Sequence, residues 1–377
     1  MKTVVIDPNF EIDTKLPEGV NPVYYDVTEP PFALYGVAYD AEGRRFIRMP
    51  QKKADAVSGG VAYLVKNTAG GRVRFRTDAK YLVLRMETDD CGSYGHMPRL
   101  TTAGFDIFTC ESQMVPMTYL SSVIPPANMK GGYRVYVPIK GVMCDYVLNF
   151  PLYGHLRSLT LGFAPEARFE APMPYVNEKP VIFYGSSITQ GGCATRPGTC
   201  YEAVLSQELH MNYVNYGFSG NAKAEDTMIE YLAAQDMCAF VSDYDHNAPS
   251  VQHLANTHEK LYLGIREKHP DIPYVMVSRP IYAHSDRMRE ELFASGERRA
   301  RYDIIKATYD RAIRAGDRNV YFVSGYDFFP SVVGGIASVD YTHPNDLGFL
   351  YMAAHIGAPL ATAMKWDFTR LVPYLSK

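Results

Sequence analysis

Val181-Ile182-Phe183-Tyr184-Gly185-Ser186-Ser187-Ile188-Thr189 runs four apolar residues into a glycine and two serines. A continuous apolar run of that length suits a strand buried on both faces, as in a parallel sheet. The pattern recurs downstream. Strand-like segments at 213–216, 238–242, 274–278 and 320–324 alternate with helix-like ones at 201–209, 224–234, 250–268, 300–314 and 347–365. Thr199 is a candidate cap for the first of these helices. Such alternation predicts a mostly parallel sheet with helices on both faces, a three-layer α/β/α domain. Ligands of such sheets bind beyond the carboxyl ends of the strands, so the residues just after each strand become the candidate site.

Upstream the texture differs. Residues 60–165 carry short alternating segments at 81–87, 104–108, 133–137 and 158–161. Gly59-Gly60, Gly70-Gly71 and Gly131-Gly132 bound them. Short strands between glycine turns predict an antiparallel sandwich. The stretch 165–180 holds four prolines without a clear period and reads as a linker. The expected organisation is therefore a β-sandwich over 1–165, a linker over 166–177 and an α/β domain over 178–377. A length of 377 residues fits two domains, since single cores stop growing near about 250–300 residues.

Composition narrows the partners. The 38 basic residues against 41 acidic ones give a net charge of −3, with no global attraction for nucleic acid or an anionic membrane. No run of about 18 apolar residues occurs, so no membrane span is expected. In MKTVVIDPNF the apolar run 4–6 ends at Asp7, so no signal-peptide core is read. That predicts a cytoplasmic protein, or a periplasmic or secreted one if a leader was removed. Six cysteines are too few for a disulfide scaffold. Cys193 and Cys200 flank one loop and would pair only in an oxidising compartment; free thiols are expected. His246, His253 and His258 form no i, i+4 pair and no Cys/His spacing is of zinc type, so neither metal nor cofactor is expected. The 29 tyrosines spread along the chain, and the single Trp366 lies outside the sandwich. A site-shaping role therefore suits the sandwich better than independent sugar stacking. Oligomeric state is left open.

Four strand ends hold the chemistry. The first carries Ser186 and Ser187, the second Gly217-Phe218-Ser219-Gly220-Asn221, and the third Asp243 to Ala248 with Asn247. Near the C-terminus stands Asp340-Tyr341-Thr342-His343. Each stretch alone has a plain reading: a turn, a phosphate loop, a helix cap. A calcium loop in the third lacks its glycine and its closing glutamate. Together they supply nucleophile, oxyanion donors, base and orienting carboxylate, the set needed for acyl transfer. Arg196 is a candidate substrate contact or an exposed structural arginine, and Arg279 a candidate substrate contact or a structural ion-pair partner. The charged run 287–301 is mixed in sign and reads as a solvated helix face. A nucleotide site is disfavoured, because neither GxGxxG nor GxxxxGK[ST] follows the first strand.

This order of residues over about 178–365 resembles the SGNH hydrolases, also called GDSL esterases and lipases. The Gly-Asp-Ser-Leu motif is matched by Gly185-Ser186-Ser187-Ile188, with Ser186 in place of Asp. The resemblance implies a flavodoxin-like α/β/α domain, Ser187 as nucleophile and Asp340 and His343 completing the triad. It implies an oxyanion hole from Ser187, Gly220 and Asn247, although Gly-x-Asn-Asp is replaced by Asp245-His246-Asn247-Ala248. Residues 184–198 resemble a bacterial subgroup with an N-terminal all-β jelly-roll domain carrying Gly-x-Asp-Leu-Tyr, matched by Gly104-Phe105-Asp106-Ile107-Phe108. The implied function is a serine esterase acting on a small-molecule or glycan ester, an O-acyl group on a carbohydrate first. A lysophospholipase, a thioesterase or an inactive glycan-binding protein are the alternatives.

Overall fold

The computed structural model describes Ile12, residues 14–127 and residues 129–375. The apolar run 4–6 lies outside the described residues. Five parallel strands, Val181–Gly185, Tyr213–Gly217, Ala239–Asp243, Tyr274–Val277 and Val320–Val323, form the C-terminal sheet. Their spatial order is second, first, third, fourth, fifth. The order reverses between the first and third strands, which is where ligands of such sheets settle. Register places Gly185 between Gly217 and Asp243, so three strand ends finish level.

The first strand shows why both faces are covered. Val181 and Phe183 join a core with Tyr201, Leu205, Phe349 and Met352, under the helices Tyr201–Leu209 and Asp346–Met364. Ile182 and Tyr184 point the other way, into a core with Met228, Leu254 and Leu261. Period-two alternation with apolar residues at every position gives two buried faces. The helix Asp346–Met364 is apolar and long enough to cross a membrane, yet half of it is buried inside the protein. The helix Tyr201–Leu209 is capped by Cys200 without a side-chain bond; Thr199 instead closes a turn on Arg196.

Two antiparallel sheets make the N-terminal sandwich. One runs Val23–Asp26, His155–Phe163, Tyr81–Asp90, Gly132–Pro138. The other runs Phe169–Glu170, Arg72–Thr77, Cys144–Asn149, Phe105–Cys110, Thr118–Val123, with Ala33–Tyr35 also on Arg72–Thr77. Phe75, Leu84, Phe105, Tyr146, Leu161 and Phe163 fill the space between them.

Two features depart from the sequence reading. The stretch expected as a linker is strapped to the sandwich. Phe169–Glu170 pairs with Arg72–Thr77, Met173 N–H donates to Asp145 at 2.6 Å, and Tyr175 accepts from Arg72 at 2.7 Å. The helices Gln51–Val57 and Gly59–Leu64 also interrupt the sandwich half, with Ser58 capping the second. Met49, Ala54, Val61 and Leu64 belong to the core of the parallel sheet, beside Ile182 and Tyr184. Arg48, buried, donates to the carbonyls of Asn215, Gly217 and Leu64 and stacks on Phe218. All six cysteines are free thiols, Cys193 and Cys200 included.

Candidate active site

Ser187 opens the short helix Ser187–Gln190 two residues beyond the end of the first strand. Gly185 is required at that turn. A Cβ there would stand 2.0 Å from Thr189 Oγ1 and 2.4 Å from the Asp243 carbonyl oxygen. Ser186, in the place of the motif's Asp, caps the helix by accepting the Ile188 N–H at 3.2 Å. The Ser187 N–H, at the first helical position, has no acceptor within its own helix. Its hydroxyl faces the site, with Oγ 2.9 Å from His343 Nε2.

Asp340 and His343 come from the segment ahead of the last helix. Tyr341 takes a positive φ of 60°, which turns the chain back on itself. Asp340 Oδ1 then accepts the backbone N–H groups of Thr342 at 3.0 Å and His343 at 2.7 Å. Its Oδ2 accepts His343 Nδ1 at 2.8 Å. Partial burial alone would raise the Asp340 carboxyl, but the bonds from His343 and Thr342 outweigh it and hold it below the usual carboxylate range. The carboxylate therefore stays charged and keeps the proton on Nδ1. Nε2 is left as acceptor for the Ser187 hydroxyl, the arrangement a general base requires.

Gly220 sits at φ +69° in the turn after the second strand, with nothing within 4 Å of where a side chain would project. Asn247 ends the turn Asp245–Asn247 after the third strand. Its Oδ1 accepts the Ala222 N–H at 3.2 Å, which ties the second and third strand ends together and leaves Nδ2 to donate elsewhere.

Arg196 and Arg279, expected as substrate contacts, have other partners. Arg196 bonds Asp106 at 2.6 Å and stacks on Phe108 and Tyr119. Asp106 is fully buried and also accepts from Gly198 N–H and Asn149 Nδ2. The aspartate of the sandwich pentapeptide is thus one half of an ion pair across the domain junction. Arg279 bonds buried Asp245, which also receives Arg301. Arg301, within the run expected as a solvated face, is 3% exposed.

Sequence reasoning missed what the sandwich half brings to the site. The Tyr153 hydroxyl donates to the Ser187 carbonyl at 3.3 Å and lies 3.4 Å from Ser219 Oγ. Tyr94 packs edge-on against Tyr153. The His96 ring stands 5.6 Å from the His343 ring. No motif marks these residues, because only the tertiary docking brings them near.

Fold and site together define a serine hydrolase on a doubly wound sheet. Residues 178–359 match the GDSL-like lipase/acylhydrolase family, and residues 22–169 match the N-terminal module of SGNH-hydrolase-type esterases. The chain belongs to that family, in the branch that carries a sandwich ahead of the hydrolase. A structure described as a GDSL-like lipase from Bacteroides ovatus superposes with a TM-score of 0.79 at 26% identity, covering 92% of this chain and 99% of that one. A salicylyl-acyltransferase from a tetracycline biosynthetic pathway gives 0.74 at 17%, covering 90% and 97%. A family two carbohydrate esterase from Clostridium thermocellum, in complex with cellohexaose, gives 0.54 at 16%, covering 79% and 94%. The last two likenesses speak to fold alone. A search of curated protein sequences finds no match.

Proposed function

We propose that this chain is an esterase that removes a small O-acyl group, acetyl first, from a carbohydrate. The observation that carries it is the unbroken line Ser187 Oγ, His343 Nε2, His343 Nδ1, Asp340 Oδ2, at 2.9 Å and 2.8 Å. His343 takes the Ser187 proton as Oγ attacks the ester carbonyl. The resulting oxyanion is met by the N–H groups of Ser187 and Gly220 and the Asn247 amide. The tetrahedral centre collapses, His343 returns the proton to the leaving sugar oxygen, and an acyl-serine remains. Water, deprotonated by His343, then releases the acid and restores Ser187.

The sugar part of the reading draws on fold likeness to the carbohydrate esterases. A longer acyl chain has an observation of its own. Val332, Ile336, Val339 and Tyr341 expose apolar surface on the segment that leads into the dyad. A panel of acetylated sugars and longer acyl esters, scored by kcat/KM, separates the two. Preference for acetylated sugars is expected; a rise with chain length replaces the reading by the lipid one. A fluorophosphonate probe is expected to label Ser187 and to leave a Ser187→Ala variant untouched. An unlabelled wild type makes the protein a binder.

A further inference from the structure

We infer that His96, Cys193 and His343 together bind one thiophilic divalent cation, zinc(II) above all, and that this cation switches the hydrolase off. One ligand atom from each residue lies within 4.8 Å of the other two. Three segments distant in sequence meet here. His96 comes from the sandwich loop after Tyr81–Asp90, Cys193 from the turn after the nucleophile helix, and His343 from the catalytic dyad. A tetrahedral zinc site sets its ligand atoms about 3.4–3.7 Å apart, so a shift of roughly 1 Å closes the set. His96 is exposed and supplies both that freedom and the entry path.

The donor set suits the ion. Two imidazoles and a thiolate select zinc over hard cations such as magnesium or calcium, and leave a fourth position for water. His343 is already prepared as a ligand. Its Nδ1 proton is held by Asp340 at 2.8 Å, the carboxylate–histidine support that metal-bound imidazoles use. Cys193 has no part in the acyl chemistry, yet it is held at φ +72°, a conformation that costs energy for a residue with a Cβ. The Cys193 thiol gives its proton to water as the metal–sulfur bond forms.

Inhibition follows from the shared lone pair. His343 Nε2 either accepts the Ser187 proton or donates to the metal, never both. This half of the inference rests on His343 being the catalytic base; the binding half does not.

The test titrates zinc chloride into wild type, His96→Gln and Cys193→Ser during hydrolysis of an aryl acetate. Wild type is expected to lose activity and to regain it with a chelator. Each variant, scored against its own zinc-free rate, is expected to need at least about tenfold more zinc, since even supporting groups are worth 10–100-fold in metal affinity. In parallel, cobalt(II) added to Ser187→Ala is expected to give a thiolate-to-cobalt absorption band, lost when Cys193→Ser is added. Equal zinc sensitivity in all three proteins, or no band, overturns the inference. Absence of turnover on every ester sinks the hydrolase reading instead, and the cobalt band still reports the site.

Discussion

Asn247 is the one oxyanion candidate whose donor is a side chain, and it can be removed without rebuilding a turn. Its Oδ1 is engaged by Ala222 N–H, so the amide is oriented before substrate arrives. Asn247→Ala is expected to lower kcat about 10²–10³-fold with little change in KM; an unchanged kcat removes Asn247 from the hole. Beneath the nucleophile lie two acids that catalysis does not use. Burial holds Glu202 and Asp243 well above the usual carboxylate range, reinforced by the charge of Asp243 on Glu202 and of Asp245 on Asp243. Asn215 Nδ2 donates to Glu202 and Thr189 Oγ1 to Asp243, so both brace the turn that carries Ser187. A proton kept in the folded state and lost from the unfolded one above about pH 4.3 makes stability fall as pH rises. Glu202→Gln is therefore expected to raise Tm at about pH 8, with the gain shrinking toward pH 4. A gain equal at both ends of that range contradicts the ionisation argument. At this scale Ser187, Asp340 and His343 were legible, because each stands at a strand end or in a spacing tied to one role. Arg196 was not, and for Arg279 the ion pair was one of two open readings. An arginine in a loop does not announce which carboxylate it will meet, and Asp106 is 90 positions away from Arg196.

The Asp106–Arg196 pair is the junction between one sandwich strand, Phe105–Cys110, and the loop that follows the nucleophile helix. Asp106 is fully buried while the Arg196 side chain is 22% exposed. Arg196→Ala would strand a buried carboxylate, which costs about 3–5 kcal/mol when one partner alone is removed. The expected result is that loss in urea titration with KM for a small aryl ester unchanged; a raised KM with intact stability returns Arg196 to the substrate. The parallel strands and their helices were readable because apolar runs and helical periods are long there. The helices Gln51–Val57 and Gly59–Leu64 were not, since pieces of seven and six residues hold no helix without tertiary support. The proline-rich stretch before the first parallel strand looked free for a similar reason: its partners, Arg72 and Asp145, lie in other strands.

The two halves are not independent bodies. Met49, Ala54, Val61, Leu64 and Val65 complete one face of the parallel sheet, and Arg48 answers two of its carbonyls, those of Asn215 and Gly217. A fragment over 178–377 is expected to be insoluble or to lack cooperative unfolding, because that face would lie open. A soluble fragment with a sharp thermal transition would show the opposite.

Tyr153 adds a consequence in time. Synthesis runs from the N-terminus, and the sandwich is complete before Asp340 and His343 exist. The backbone of Ser187 meets its tyrosine partner only after the later half has been made and docked. In that interval the helices of 51–64 carry an uncovered apolar face, a natural handhold for chaperones and a hazard at high expression rates. Esterase activity is thus a late signal: its first appearance reports a finished molecule rather than a finished domain.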